Sequence, residues 1–137
     1  MAILVAIGDD DRSEPVLRVA ARFAEGMRQE LIAVHVTTDK TASGDDRDLR
    51  DEIRSVVSEA GVQADVTLEH LNRSGLRPGT AIGKQLVDMA EGVEIEQIVL
   101  GYRQKNQLAE LREGHTGFVV AQEATVPVTI VPEAVSI

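Results

Sequence analysis

Ile98-Val-Leu-Gly101 is a short apolar run closed by glycine. After the largely polar residues 102–113 the chain resumes at Gly114-His115-Thr116, and a second apolar run follows at Val126-Pro-Val-Thr-Ile-Val131. The reading is buried strand, connection, helix, buried strand. A strand end that faces a helix N-terminus presents backbone N–H groups and the positive end of a helix dipole. That geometry suits an anion such as phosphate.

Upstream, the same alternation repeats. Ala2–Ile7 is a continuous apolar run, read as the first strand, and Gly8-Asp9-Asp10-Asp11 is a turn. Ser13 is the N-cap of the next helix, because Pro15 then falls in the first turn, where its missing N–H costs nothing. Leu17, Ala20, Ala21 and Ala24 form the apolar face of that helix, and Gly26 is its predicted stop. Glu30–Val36 is the second strand and residues 37–46 a polar loop. Asp46–Ala60 is an amphipathic helix with Leu49, Ile53, Val56 and Val57 on one face, ended by Gly61. Ala64–Leu71 alternates, with Val66, Leu68 and His70 on one side, which predicts a half-exposed strand at a sheet edge. Thr80 caps a helix over Ala81–Ala90, Ile95–Gly101 is the fourth strand, and Leu108–Leu111 a short helical turn. Gly114–Ala124 is the last helix and Val126–Val131 the last strand. Five strands alternating strictly with helices predict a doubly wound parallel α/β sheet. No internal repeat or linker divides it, so residues 1–137 read as one domain.

Composition narrows the function. Hydrophobic residues make up 43% of the chain but aromatics only 2%, so the core is aliphatic, as in parallel sheets covered by helices. There is no cysteine, which excludes disulfides, thiolate metal sites and cysteine nucleophiles. No apolar run approaches a membrane span. The N-terminal apolar run is too short for a signal sequence and lacks a basic flank, so the expected location is the cytoplasm. The net charge is −9, which argues against a nucleic-acid face. Only Lys40, Lys84 and Lys105 are lysines, and an acidic, lysine-poor surface fits a high-salt, halophilic cytoplasm where repulsion is screened.

In an open α/β sheet, ligands bind beyond the carboxyl ends of the strands. That rim holds Gly8–Asp10, Val36–Thr38 and Gly101–Thr116. Neither a G-x-x-x-x-G-K-[ST] loop nor a G-x-G-x-x-G turn is present, and Gly8-Asp-Asp-Asp-Arg-Ser is too acidic to welcome a pyrophosphate. Asp9, Asp10 and Asp11 read as a solvated turn before a metal cluster. His35 reads as a packed sheet residue and His70 as half-exposed, and no two histidines have metal-ligand spacing. His115 is a phosphate donor or an ordinary helix-start histidine. Arg103, Lys105 and Arg112 either attract an anion or pair with Glu110 and Glu113.

Residues 3–18, Ile-Leu-Val-Ala-Ile-Gly-Asp-Asp-Asp-Arg-Ser-Glu-Pro-Val-Leu-Arg, resemble without a gap the opening of the universal stress protein family, Ile-Leu-Val-Ala-Val-Asp-Gly-Ser followed by Ser and Ala-Leu. Leu31-Ile-Ala-Val-His-Val36 is similar to the family's second strand, and Ile98–Gly101 and Val126–Val131 to its fourth and fifth. The resemblance spans nearly the whole chain. It implies a Rossmann-like fold (adenine nucleotide alpha hydrolase-like), strand order 3-2-1-4-5, and a homodimer through the last strand, Val126–Val131. The family's ATP-binding branch carries G-x2-G-x9-G-[ST] after the fourth strand. Gly101 and Gly114 keep the outer spacing here. Gln104 stands where the second glycine belongs, His115 where the hydroxyl belongs, and Thr116 follows one place late. The family's strand-one aspartate aligns with Gly8, beside Asp9 and Asp10, and Val36 matches a valine that lines the adenine site.

The resemblance therefore implies a stress-response regulatory or binding protein with a weak or lost adenine-nucleotide site, acting through binding rather than turnover. The alternatives are a genuine sensor or slow ATPase taking ATP with Mg, or AMP, and a ligand-free dimerisation or docking module. The charge reading has its own test. Melting should occur at lower temperature in dilute buffer than in molar KCl, and an unchanged or higher melting point in dilute buffer would remove the halophilic reading.

Overall fold

In a computed structural model the described residues are 2–7, 13–37, 44–70, 78–92, 94–102 and 116–132. They form β1 (Ala2–Ile7), α1 (Ser13–Met27), β2 (Glu30–Thr37), α2 (Gly44–Glu59), β3 (Ala64–His70), α3 (Pro78–Gly92), β4 (Ile95–Tyr102), α4 (Thr116–Glu123) and β5 (Val128–Pro132). All strand pairings are parallel, in the order β3-β2-β1-β4-β5. The predicted fold class and strand order are both present.

β1 is central because its side chains are apolar on both faces. Ile3, Val5 and Ile7 pack beneath α1 and α2 with Leu17, Ala20, Leu31, Ile53 and Val57. Ala2 and Leu4 pack on the opposite face with Leu86, Ile98, Leu100 and Val120, beneath α3 and α4. Helices thus cover both faces. Each fully buried Ile, Leu or Val contributes about 1.5–3 kcal/mol, and among the described residues the two buried layers are aliphatic, with Phe23 packed half-buried against one of them. β3 and β5 are the two edges, as each pairs with one neighbour only. Arg18 bonds to Glu14 on its own helix at 2.8 Å and reaches Glu59 of α2 at 3.7 Å, an exposed bridge between the two helices.

Several boundaries differ from the sequence reading. α2 starts at Gly44, two residues before the predicted Asp46, and α3 starts at Pro78, which places Thr80 in the first turn rather than at the cap. Proline suits a first helical position, where no N–H is needed. β5 is displaced to Val128–Pro132, with Val126 and Pro127 ahead of it. The predicted turn at Leu108–Leu111 lies outside the described residues.

The end of α1 is a correction with a physical cause. Gly26 remains helical, and the left-handed residue is Arg28, with φ 55°. The Gln29 amide bonds to the Ala24 carbonyl at 2.9 Å and the Arg28 amide to the Glu25 carbonyl at 3.3 Å. This is a Schellman stop with arginine where glycine is favoured. α2 ends in the same motif with glycine in place: Gly61 has φ 73°, Val62 bonds back to Val57 at 3.2 Å and Gly61 to Ser58 at 3.0 Å. Arg28→Gly should therefore stabilise the fold by about 1 kcal/mol, the cost of an L side chain in that conformation, read as a higher urea midpoint at unchanged m-value.

Candidate functional site

The chain leaves β1 to build β2 and β3 on one side, then returns to build β4 and β5 on the other. The crossovers diverge at β1, and this switch point, beyond the carboxyl ends of β1 and β4, is where open α/β sheets bind ligands. The described residues at that rim include Ile7, Val36, Thr37, Gly101, Tyr102 and Thr116. Of the predicted site residues, Gly8, Asp9, Asp10, Gln104, Gly114 and His115 lie outside the described residues, as do Arg103, Lys105 and Arg112.

Val36 and His35 sit side by side at the end of β2 and face opposite ways. Val36 is buried on the α3/α4 face, among Val34, Leu86, Leu100 and Val120. His35 is 3% exposed and stands opposite Ile7 in the ladder. Its ring Nδ1–H donates to the Ile7 carbonyl at 2.9 Å. The carbonyl can only accept, so this contact fixes the tautomer. The bond ties the last residue of β1 to β2 at the point where the chain departs toward Gly8. His35 is a packed sheet residue, as read, with this added positioning role.

Gly101 is glycine for a reason the motif does not contain. A Cβ placed on it would lie 2.8 Å from Cγ2 of Val16 on α1. The helix packs directly onto the end of β4, while the other side of Gly101 is exposed. The backbone there is thus open at the rim and closed from beneath.

Thr116 is the first residue of α4, whose N-terminal N–H groups have no intrahelical acceptors. The position of α4 is set by Gly83 of α3. A Cβ on Gly83 would lie 2.9 Å from Val119 Cβ and 3.1 Å from the Thr116 carbonyl oxygen. Glycine inside a helix costs about 1 kcal/mol against alanine, which was a legible signal for close helix packing. Lys84, one residue on, reaches Glu123 at 2.8 Å and joins the two helices at their solvent side.

Two surface depressions lie away from this rim. One is lined by Lys84, Val87, Asp88, Glu91 and Glu123 on the α3–α4 flank. The other involves Glu30, Arg54, Gln63 and Asp65 at the opposite end of the strands. Neither contains a predicted site residue.

A profile of the universal stress protein family matches residues 1–132. No curated protein matches. Among solved structures, a universal stress protein from Archaeoglobus fulgidus is 25% identical, with a TM-score of 0.72 over 95% of this chain and 97% of that one. A universal stress protein from Archaeoglobus fulgidus in complex with dAMP is 26% identical, with a TM-score of 0.67 over 95% of this chain and 96% of that one. A universal stress protein in complex with cAMP shares the fold at 19% identity, with a TM-score of 0.73 over 96% and 97%.

The Gly101 contact yields a double-mutant test. Gly101→Ala should destabilise the protein by about 1–3 kcal/mol through overpacking. In a Val16→Ala background the added methyl has room, so the same change should cost much less. Equal costs in both backgrounds, measured by urea unfolding, would show that Val16 is not the obstacle.

Proposed function

The chain belongs to the universal stress protein family, and on that premise we propose that it is a cytoplasmic, homodimeric stress-response binding protein. Its adenine-nucleotide site lies in the crevice beyond β1 and β4 and is weakened at the phosphate end. It acts by binding rather than turnover.

The observation that supports this most is the contrast between frame and interior. Gly101 is the next-to-last residue of β4 and Thr116 the first of α4, which supports a strand-to-helix frame for the site. Between them Gln104 occupies a position where the nucleotide-binding motif has glycine, and His115 one where it has a hydroxyl. A glutamine held in the left-handed turn that the motif's glycine takes would be strained and would fill space that a phosphate needs. Elsewhere Gly8 stands where the family has its strand-one aspartate, while Val36 and Gly101 keep the family's residues. A relative at 26% identity holds dAMP, a monophosphate. On this reading AMP binds about as well as ATP, because the distal phosphates add little.

The sensor or slow ATPase remains the second reading, since Thr116 supplies a hydroxyl in the first turn of α4. Native mass spectrometry for a co-purified adenine nucleotide, and melting with AMP or with ATP and magnesium, separate the two. A ligand at 100 times its Kd adds about 2.7 kcal/mol of stability. The expected result is a small, similar shift with either nucleotide, and a larger ATP shift in Gln104→Gly/His115→Ser. A large ATP shift in the unaltered protein, not increased by the double change, would establish an intact site and the sensor reading. No shift in either protein would remove the nucleotide.

A further inference from the structure

The first edge of the sheet, β3, is less guarded than the last. β5 has Pro127 ahead of it and Pro132 at its end. β3 contains neither proline nor lysine, and its residues Ala64–His70 keep an unbroken register with β2. The Leu31 amide donates to the Gln63 carbonyl at 3.3 Å, and Leu31 stands opposite Ala64. Backbone groups alternate along a strand. Gln63, Asp65 and Thr67 therefore turn theirs toward β2, while Ala64, Val66, Leu68 and His70 turn N–H and C=O to the open side. Such a row of donors and acceptors is a template for an added strand.

The two faces of this edge carry opposite charge. α2 runs over one of them. Arg18 of α1 reaches Glu59, which puts α1 on the Glu59 side of α2. At 100° per residue, Arg47, Arg50 and Arg54 fall on the opposite flank, toward β3. Arg54 borders Ala64 and Asp65 in the depression at the start of the strand. Along the helix axis Arg50 and Arg47 follow Arg54 at about 6 Å and about 10 Å. Along β3 the outward positions Val66 and Leu68 follow Ala64 at about 7 Å and about 13 Å. The arginines thus track the outward backbone groups.

Among the described residues none of these three arginines has a salt-bridge partner. Arg50 is partly buried, and its Nε is shielded from solvent with no acceptor. An unsatisfied buried donor is costly, and an acceptor arriving from outside would relieve that cost. On the other face of the edge, Asp65 is exposed opposite Ile32, and Glu30 joins it in the same depression.

This charge arrangement selects the occupant. In an antiparallel two-fold pairing of β3 with itself, both α2 helices lie on one face. Arginine then faces arginine above the seam and Asp65 faces Asp65 below it, which is destabilising. A nucleic acid would meet the arginines but also the two carboxylates. A strand with acidic side chains above and basic ones below meets opposite charge on both faces. Side chains alternate along a strand, so that division is an alternating sequence.

We propose that the open edge of β3 receives an extended segment of another protein whose side chains alternate acidic and basic, with the acidic ones beneath Arg50 and Arg54. The probe is a fluorescein-labelled peptide of about eight residues alternating lysine and glutamate. Its control has the same composition with the charges in pairs, a period that does not match the pleat. By anisotropy with the full chain at low salt, the alternating peptide should bind about tenfold tighter than the control and weaken as salt is raised. Arg54→Glu, at an exposed position, should lower that affinity about tenfold with an unchanged melting temperature. Bound peptide should slow hydrogen exchange at the outward amides of Val66 and Leu68, which a contact through side chains alone would not do. Equal affinity for the two peptides, or binding of neither, overturns the proposal. Unchanged affinity in Arg54→Glu overturns the role of the arginine row. Binding that leaves the Val66 and Leu68 amides unprotected overturns strand addition. A single-stranded oligonucleotide that displaces the peptide and is equally weakened by Arg54→Glu overturns the peptide as occupant.

Discussion

β1 has neither a free edge nor a free face. It is hydrogen-bonded to β2 on one side and β4 on the other, and Ile3, Leu4 and Val5 are 0–1% exposed. Every other element is placed by that strand. Both faces must be covered, so the helices divide into α1 and α2 beneath, α3 and α4 above. Both edges must be paired, so the chain builds outward in two directions. The reversal of direction at β1 creates the switch point at the carboxyl ends of the strands, where such sheets bind ligands. The proposed binding site is thus a consequence of burying one six-residue strand on both faces.

The rim of that site is held by contacts from distant parts of the chain. Val16 fixes how α1 meets the end of β4, His35 ties β2 to the last residue of β1, and Gly83 fixes how α4 approaches α3. None of these residues belongs to a nucleotide motif. They place the motif positions, which is why a drift of individual motif residues can coexist with an unchanged frame.

Much of this was legible in the sequence. Alternating apolar periodicities located every strand and helix described, because two-sided burial in a parallel sheet writes continuous apolar runs. Strand order came from the resemblance, since periodicity carries no information about which strands are neighbours. The misplaced ends share a cause: caps are local choices that several residues can fill. Gly26 looked like the stop of α1, but Arg28 takes the left-handed position, and Thr80 looked like a cap while Pro78 starts α3. β5 begins two residues late because an apolar run does not reveal its first ladder bond, here from Ile98 to Pro127. At the site, Gly101 was recognisable as required, but its physical reason, a valine far upstream, is a tertiary contact that spacing cannot show. The roles of Gln104 and His115 rest on motif comparison.

The strand order also sets a schedule. During synthesis β1 and β2 can pair early, but the second edge of β1 waits for β4, whose Ile95–Val99 supply its partners. At typical elongation rates that interval is roughly 3–13 s. Throughout it a nascent sheet carries a bare apolar edge strand, the form of surface on which chains of one kind join each other. The segment made in that interval includes α2, where acidic residues are dense and Asp45, Asp46, Asp48, Asp51 and Glu52 fall within eight positions. Mutual repulsion between nascent chains therefore grows while the edge of β1 is uncovered.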